Sequence, residues 1–249
     1  MPALSLPDLR EQVWRANQAL VRSGLVTLSF GNASGVDRAA GVLLIKPSGV
    51  PYDQLRPEQL VAVSLEDGRV LEGDLRSSSD TPTHLILYQR YPEIGGVVHT
   101  HSTAATAWAQ AGRSIPPLGT THADHFHGAV PVTRQLLESE VAGEYERETG
   151  AVIIETLERL GLSATEMPAV LVASHGLFTW GRDAMNAADN ATALEVVAAM
   201  ATQTFALNPE AEPIAGYLAE RHFRRKHGPD AYYGQAPKPR SGDAGREPR

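Results

Sequence analysis

Two histidines one residue apart, in His99-Thr100-His101, close the apolar stretch Gly96-Val97-Val98. If that stretch is a strand, alternation sends both imidazoles to one face, side by side at its end. That is half of a metal site. A third imidazole, His175, follows a second apolar run, Ala169-Val170-Leu171-Val172-Ala173, and precedes Gly176. An acidic candidate, Asp80, stands just ahead of a helix. Three imidazoles, with or without one carboxylate, suit zinc better than calcium or magnesium, which prefer oxygen. The chain has no cysteine. Disulfides, thiolate nucleophiles and cysteine zinc sites are therefore excluded, and any metal must be held by nitrogen and oxygen. Asp80 has a competing role as a helix cap, but Thr81-Pro82 supplies both cap and first turn, which leaves the carboxylate free. His84, one turn into that helix, reads as structural.

Other segments carry weaker signals. Thr121-His122-Ala123-Asp124-His125-Phe126-His127-Gly128 is dense in ionisable groups. Its three histidines could form a second metal site or a polar loop beside an active site, and Asp124 is equally a turn residue or a general base. Three short polar turns, Gly31-Asn32, Ser48-Gly49 and Ser77-Ser78-Ser79, could surround a phosphate with backbone N–H groups and small hydroxyls. Each also suits an ordinary turn. Lys46 either adds charge there or faces solvent. Tyr232 and Tyr233, near the carboxyl terminus, ordinarily anchor a tail by packing.

The elements that must position these groups follow from periodicity. Leu6 to Ser23 has helical spacing of apolar residues, ended by Gly24. Leu25-Val26-Thr27-Leu28 reads as a strand entering the polar turn Gly31-Asn32-Ala33-Ser34. Val42-Leu43-Leu44-Ile45 reads as a buried strand, and Val61 to Leu65 forms a hairpin across Asp67-Gly68. A helix occupies the 80s; a strand at Val97 precedes a helix that Ser102 caps and that runs through Trp108. Helical pattern resumes from about Ser139 to Leu160, a strand pair surrounds His175, and alanine-rich helix spans Asp183 to about Leu207. A last helix runs from about Ile214 to Lys226, and residues 236–249 have the composition of a disordered tail. Strands and helices mix without strict alternation, which points to a sheet with helices on its faces rather than a doubly wound fold.

Bulk properties agree with one globular unit. The chain has 249 residues, 42% of them hydrophobic and 20% charged, enough for one large core. A net charge of -7 argues against a general nucleic-acid binder. No apolar run is long enough to span a bilayer and the first thirteen residues hold no signal-like core, so the expected location is cytoplasmic.

Read in order, the motifs resemble the L-ribulose-5-phosphate 4-epimerases of the class II aldolase/epimerase superfamily. The resemblance rests on Ile45-Lys46-Pro47-Ser48-Gly49-Val50, Ser78-Ser79-Asp80-Thr81-Pro82-Thr83-His84 and Gly95-Gly96-Val97-Val98-His99-Thr100-His101. It continues through Thr120-Thr121-His122-Ala123-Asp124, Gly143-Glu144-Tyr145-Glu146, Ser174-His175-Gly176 and Tyr232-Tyr233-Gly234-Gln235. It implies one α/β catalytic domain over 1–235, with a mostly antiparallel central sheet flanked by helices on both faces. It implies one zinc per subunit at His99, His101 and His175, with Asp80 as fourth ligand or close neighbour. Substrate and phosphate contacts are implied for Gly31, Asn32, Ser48, Gly49, Ser78 and Ser79, and acid/base roles for Asp124 and Tyr233. The implied assembly is a homotetramer whose active site lies between neighbouring subunits, acting on a small sugar phosphate, with neither nucleic acid nor membrane as partner. Carbohydrate metabolism, L-arabinose catabolism included, is the implied setting. Phe30 departs from a common tryptophan, and His125 and His127 from expected tyrosines.

The implied chemistry has a physical logic. In a ketopentose phosphate the C4–H bond is not acidic, because the carbonyl is at C2. Breaking C3–C4 by retro-aldol cleavage, rotating the aldehyde and closing the bond on its other face inverts C4. A Lewis acid on the C2 and C3 oxygens, which carry the enediolate charge, and one acid/base group per face meet the need. Two other readings exist: a zinc aldolase that releases its aldehyde, such as one acting on L-fuculose 1-phosphate, and a non-catalytic interaction domain like the adducin head. Retention of the three histidines, Asp124 and Tyr233 argues against the last.

Overall fold

A computed structural model describes residues 6–227 and 231–233. The expected tail, 236–249, lies outside the described residues, as do Gly234 and Gln235. Helix α1, Leu6–Arg22, buries Leu9, Val13, Ala16 and Leu20, the stripe its periodicity predicts. The next element departs from expectation. No strand forms at Leu25 to Leu28; Leu28 has φ 57 and is 76% exposed. The first strand, β1, is Asn32–Asp37, in the segment whose small polar residues suggest a turn. Those residues are small because the strand runs through the middle of the molecule. A Cβ on Gly35 would stand 2.7 Å from Val13 Cγ2 of α1. The Asn17 carboxamide of α1 also binds both backbone groups of Ala33, at 2.9 and 3.1 Å.

Strands β2 (Val42–Ile45), β3 (Val61–Ser64), β4 (Val70–Glu72), β5 (Gly96–Thr100), β6 (Ala169–Val172) and β7 (Gly176–Gly181) complete the sheet. Its order is β4-β3-β2-β1-β5-β7-β6, and every ladder is antiparallel, as expected. The remaining helices are α2 (Thr81–Arg90), α3 (Thr103–Gln110), α4 (Thr120–Ala123), α5 (Glu138–Ala142), α6 (Tyr145–Leu160), α7 (Ala184–Leu207) and α8 (Gly216–His227). The single helix expected from Ser139 to Leu160 is thus two, separated at Gly143 and Glu144. The caps differ as well. Asp80 and not Thr81 holds the N-cap position of α2, without a side-chain cap bond, while Thr81 Oγ1 donates to Ser78 O at 2.6 Å.

Register divides the sheet into two working faces. Alternation in β1 points Gly35 at α1 and α7, and Asn32 and Ser34 the opposite way. Ser34 Oγ lies 2.7 Å from His84 Nδ1 and 2.8 Å from Tyr88 Oη, both on α2, which lies on that second face with α6 packed against it and against β6. Asn32 is opposite His99, and His99 opposite Phe178, so these three side chains form a row across β1, β5 and β7. Among the described residues no helix is long and apolar enough to cross a membrane.

Candidate metal centre

The row across the sheet sets the first imidazole. His99 Nδ1 lies 2.8 Å from Leu177 O, a carbonyl that can only accept, so Nδ1 carries the proton and Nε2 presents its lone pair. The ring stacks on Phe178 with centroids 4.2 Å apart. His101, two residues on, brings its Nε2 to 2.9 Å from His99 Nε2. His175 comes from the three-residue turn joining β6 to β7. Ser174 in that turn has φ 60, a left-handed conformation uncommon outside glycine. It is held by its N–H donating to Ala109 O at 3.1 Å and by Gln135 Nε2 donating to its hydroxyl at 2.7 Å.

The three rings converge, with centroids 4.8, 4.8 and 5.0 Å apart. One nitrogen from each lies within 4.8 Å of the others, and among the described residues no other such cluster of His, Cys, Asp or Glu exists. Gly176 makes the convergence possible. A Cβ there would stand 2.7 Å from Thr100 O and 3.3 Å from His99 Cε1. Burial lowers the pKa of His175 to about 4 and lowers that of His101 too, which keeps these rings in the neutral form that ligates metal. A nitrogen-rich, thiol-free donor set of this kind fits zinc.

Asp80 stands beside this trio but outside it. Its Oδ2 accepts from Asn32 Nδ2 at 2.6 Å. Burial works to raise its pKa, but the imidazoles of His99 and His84 and the Asn32 amide outweigh burial and hold it below the usual carboxylate range. A cavity of about 480 Å³ joins the histidines and Asp80 to Gly31, Asn32, Ser48, Gly49, Ser78 and Ser79. All three polar turns therefore face one space. Asn32 Oδ1, buried and without a partner among the described residues, belongs to a side chain lining the same cavity.

Sequence patterns left part of this wall undecided. Lys46 lines the cavity and is only 1% exposed, which rules out the solvent-facing alternative. Burial lowers its pKa to about 8. Its ammonium meets Pro47 O at 3.3 Å and the Tyr52 ring at 4.8 Å, and no carboxylate pairs with it among the described residues. Its charge is thus available to an anion. Tyr145 and Glu146 also line the cavity, Tyr145 Oη lying 3.4 Å from His175 Nδ1.

Asp124 and Tyr233 are not among the residues lining the cavity. Arg225 of α8 grips the Asp124 carboxylate with two bonds, at 2.8 and 2.5 Å, and His222 adds a third at 3.1 Å. Burial works to raise its pKa, and these hydrogen bonds outweigh it and keep the group ionised. Arg225 also lies 4.6 Å from the centre of the Tyr233 ring, so one guanidinium links the two residues. The neighbouring histidines diverge: His122 Nε2 donates to Gly128 O at 2.7 Å, His125 approaches Lys226, and His127 meets Glu220 at 3.0 Å. The second-metal alternative for that loop is closed.

The family model described as class II aldolase and adducin N-terminal domain matches residues 11–202. The chain belongs to this family. It is 56% identical over 230 residues to L-ribulose-5-phosphate 4-epimerase UlaF of Salmonella paratyphi C (strain RKS4594), covering 92% of this chain and 100% of that protein. The same identity and coverage relate it to UlaF of Salmonella typhi. Among solved structures, an L-fuculose 1-phosphate aldolase superposes with TM-score 0.74 over 90% of this chain and 97% of its own, at 22% identity, which speaks to the fold alone. Within the family, the seven-stranded antiparallel sheet with its flanking helices is the class II aldolase architecture.

Proposed function

We propose that this protein is a zinc-dependent epimerase that interconverts L-ribulose 5-phosphate and D-xylulose 5-phosphate at C4. The observation that carries the reading is a single cavity in which three converging imidazoles face an anion cradle containing a buried, unpaired lysine. The name and full-length similarity of the 56% identical relatives support it. His99, His101 and His175 would hold the metal, with Asp80 beside them as fourth ligand or as the group that orients Asn32. When bound, zinc would supply a Lewis acid for the negative charge that cleavage leaves on the C2 and C3 oxygens.

The chain's own residues do the rest. Lys46 offers charge to the substrate phosphate. Gly31, Asn32, Ser48, Gly49, Ser78 and Ser79 offer backbone N–H groups and small polar side chains. Held there, the aldehyde fragment can rotate without escaping, which separates an epimerase from an aldolase. Asp124 and Tyr233 take and return the proton at O4, one on each face of the aldehyde. Their linkage through Arg225, away from the histidines, supports a homotetramer in which the neighbouring subunit supplies both. Cytoplasmic pentose metabolism, with L-arabinose catabolism as one setting, is part of the same reading.

The test is a coupled assay of L-ribulose 5-phosphate against D-xylulose 5-phosphate alongside metal analysis. The expected result is epimerisation, loss of activity on chelation, and no deuterium gained at C4 in heavy water. Steady release of glycolaldehyde phosphate would instead establish an aldolase, and a metal-free, chelator-insensitive protein would refute the reading.

A further inference from the structure

The three imidazoles are not held alike. His99 is tied by Nδ1 to Leu177 O and stacked on Phe178. His175 has Tyr145 Oη 3.4 Å from Nδ1 and sits in a turn laced by Gln135 and Ala109. His101 is the most exposed of the three, and its Nδ1 has no hydrogen-bond partner among the described residues. Besides the other two imidazoles its ring neighbour is Phe30, with centroids 6.3 Å apart. Metal-ligating histidines are ordinarily aimed by a hydrogen bond at the second ring nitrogen. Without one, the aim of His101 depends on the main chain that leaves β5 at Thr100 and enters α3 at Thr103.

That entry is built in an unusual way. Ser102 occupies the N-cap position, where a serine hydroxyl ordinarily accepts from an N–H two or three residues on. Here it makes no cap bond and donates instead to Glu195 Oε2 at 2.7 Å. Glu195, reaching across from α7, takes over the capping. Its Oε1 accepts from Ala104 N at 2.8 Å and its Oε2 from Ala105 N at 2.9 Å. A negative charge at this helix end also suits the macrodipole. At the far end of α3, Trp108 Nε1 donates to Ala198 O at 3.1 Å and Thr202 Oγ1 at 2.9 Å, both on α7. Both ends of α3 are therefore fixed to one long helix.

We infer that Glu195 is the positioning residue for His101: its carboxylate on α7 sets the angle at which the β5–α3 junction delivers that imidazole to the metal. The inference rests on the metal-centre reading above. Its test compares the wild type with Glu195→Gln and Glu195→Ala in zinc affinity, by competition with a chromophoric chelator, and in the visible spectrum of the cobalt(II)-loaded protein. Asp183→Ala is the control, because it removes the cap of α7 itself, where Asp183 accepts from Asn186 N at 2.8 Å. The isosteric Glu195→Gln carries the test if Glu195→Ala fails to fold. Expected for Glu195→Gln is zinc affinity weaker by about tenfold and an altered cobalt spectrum. Asp183→Ala lowers the melting temperature and leaves both metal readouts unchanged. Wild-type affinity and spectrum in Glu195→Gln, whatever its melting temperature, would overturn the inference alone. A wild type that binds neither metal would overturn the metal-centre reading and this inference with it.

Discussion

Single residues decide whether a metal can bind here. His99 offers a bare Nε2 because its other nitrogen is committed to a backbone carbonyl. His99→Ala is expected to leave under about a tenth of wild-type zinc after purification, measured by elemental analysis. His84 makes a different prediction. It is fully buried beneath the cavity wall, bonded to Ser34, and burial lowers its pKa to about 3. Unfolded, a histidine titrates near 6.5. Between those values the unfolded chain binds a proton that the folded chain refuses. Its contribution is therefore complete above pH 6.5 and is lost as pH falls toward 3. By pH 5 that loss is about 2 kcal/mol for one such group. Denaturant midpoints at pH 7 and pH 5 are expected to fall further in wild type than in His84→Gln. The residue scale was partly legible in advance: alternation pairs His99 with His101 at the end of an apolar run, whereas His175, in a turn, was marked only by the apolar run before it. Lys46 was not legible, because burial of a lysine depends on which elements cover it, and its own segment does not record that.

Elements bring those residues within reach of one another. The β6–β7 hairpin places His175 next to a strand more than seventy residues earlier, and Gly176 sits where the two meet. Gly176→Ala puts a carbon 2.7 Å from Thr100 O and forces the strands apart. The expected cost is about 1–3 kcal/mol of stability, with weaker metal binding, read by denaturation and zinc titration. Gly119→Ala, where nothing lies within 4 Å, is the comparison and should cost less. Helix α1 was readable from its spacing, α7 from its alanine-rich composition, and the strands β2, β3 and β5 from their apolar runs. β1 was misread for a physical reason. Asn, Ser and Gly are turn residues by propensity, yet at the centre of a covered sheet smallness outweighs propensity. The break between α5 and α6 at Gly143 likewise left the helical period of the segment almost intact.

At the scale of the whole molecule, the proposed proton-transfer pair and the metal trio are held by different parts of the chain. Asp124 is bound to α8, while His99 stands in the central sheet. If neighbouring subunits complete each site, two inactive variants should rescue each other. Co-expressed His99→Ala and Asp124→Asn chains, randomly mixed in a cyclic assembly, recover about a quarter of wild-type activity, since each site draws one residue from each of two chains. Assay of the purified hybrid against each parent checks this, and no recovery would place both groups in one chain. This level was the least legible from residues alone: a lone Asp-containing loop and a Tyr-Tyr pair carry no periodic signal, and only the resemblance assigned them roles.

The row Asn32, His99, Phe178 spans three strands drawn from distant thirds of the sequence. Slipping β5 by one residue against either neighbour would turn His99 toward α1 and α7 and dissolve the row. Under the proposed function, ion capture would thereby be a proofreading step. Only a chain whose beginning, middle and end have annealed in the right alignment would hold the cation, and holding it would then penalise every misaligned alternative.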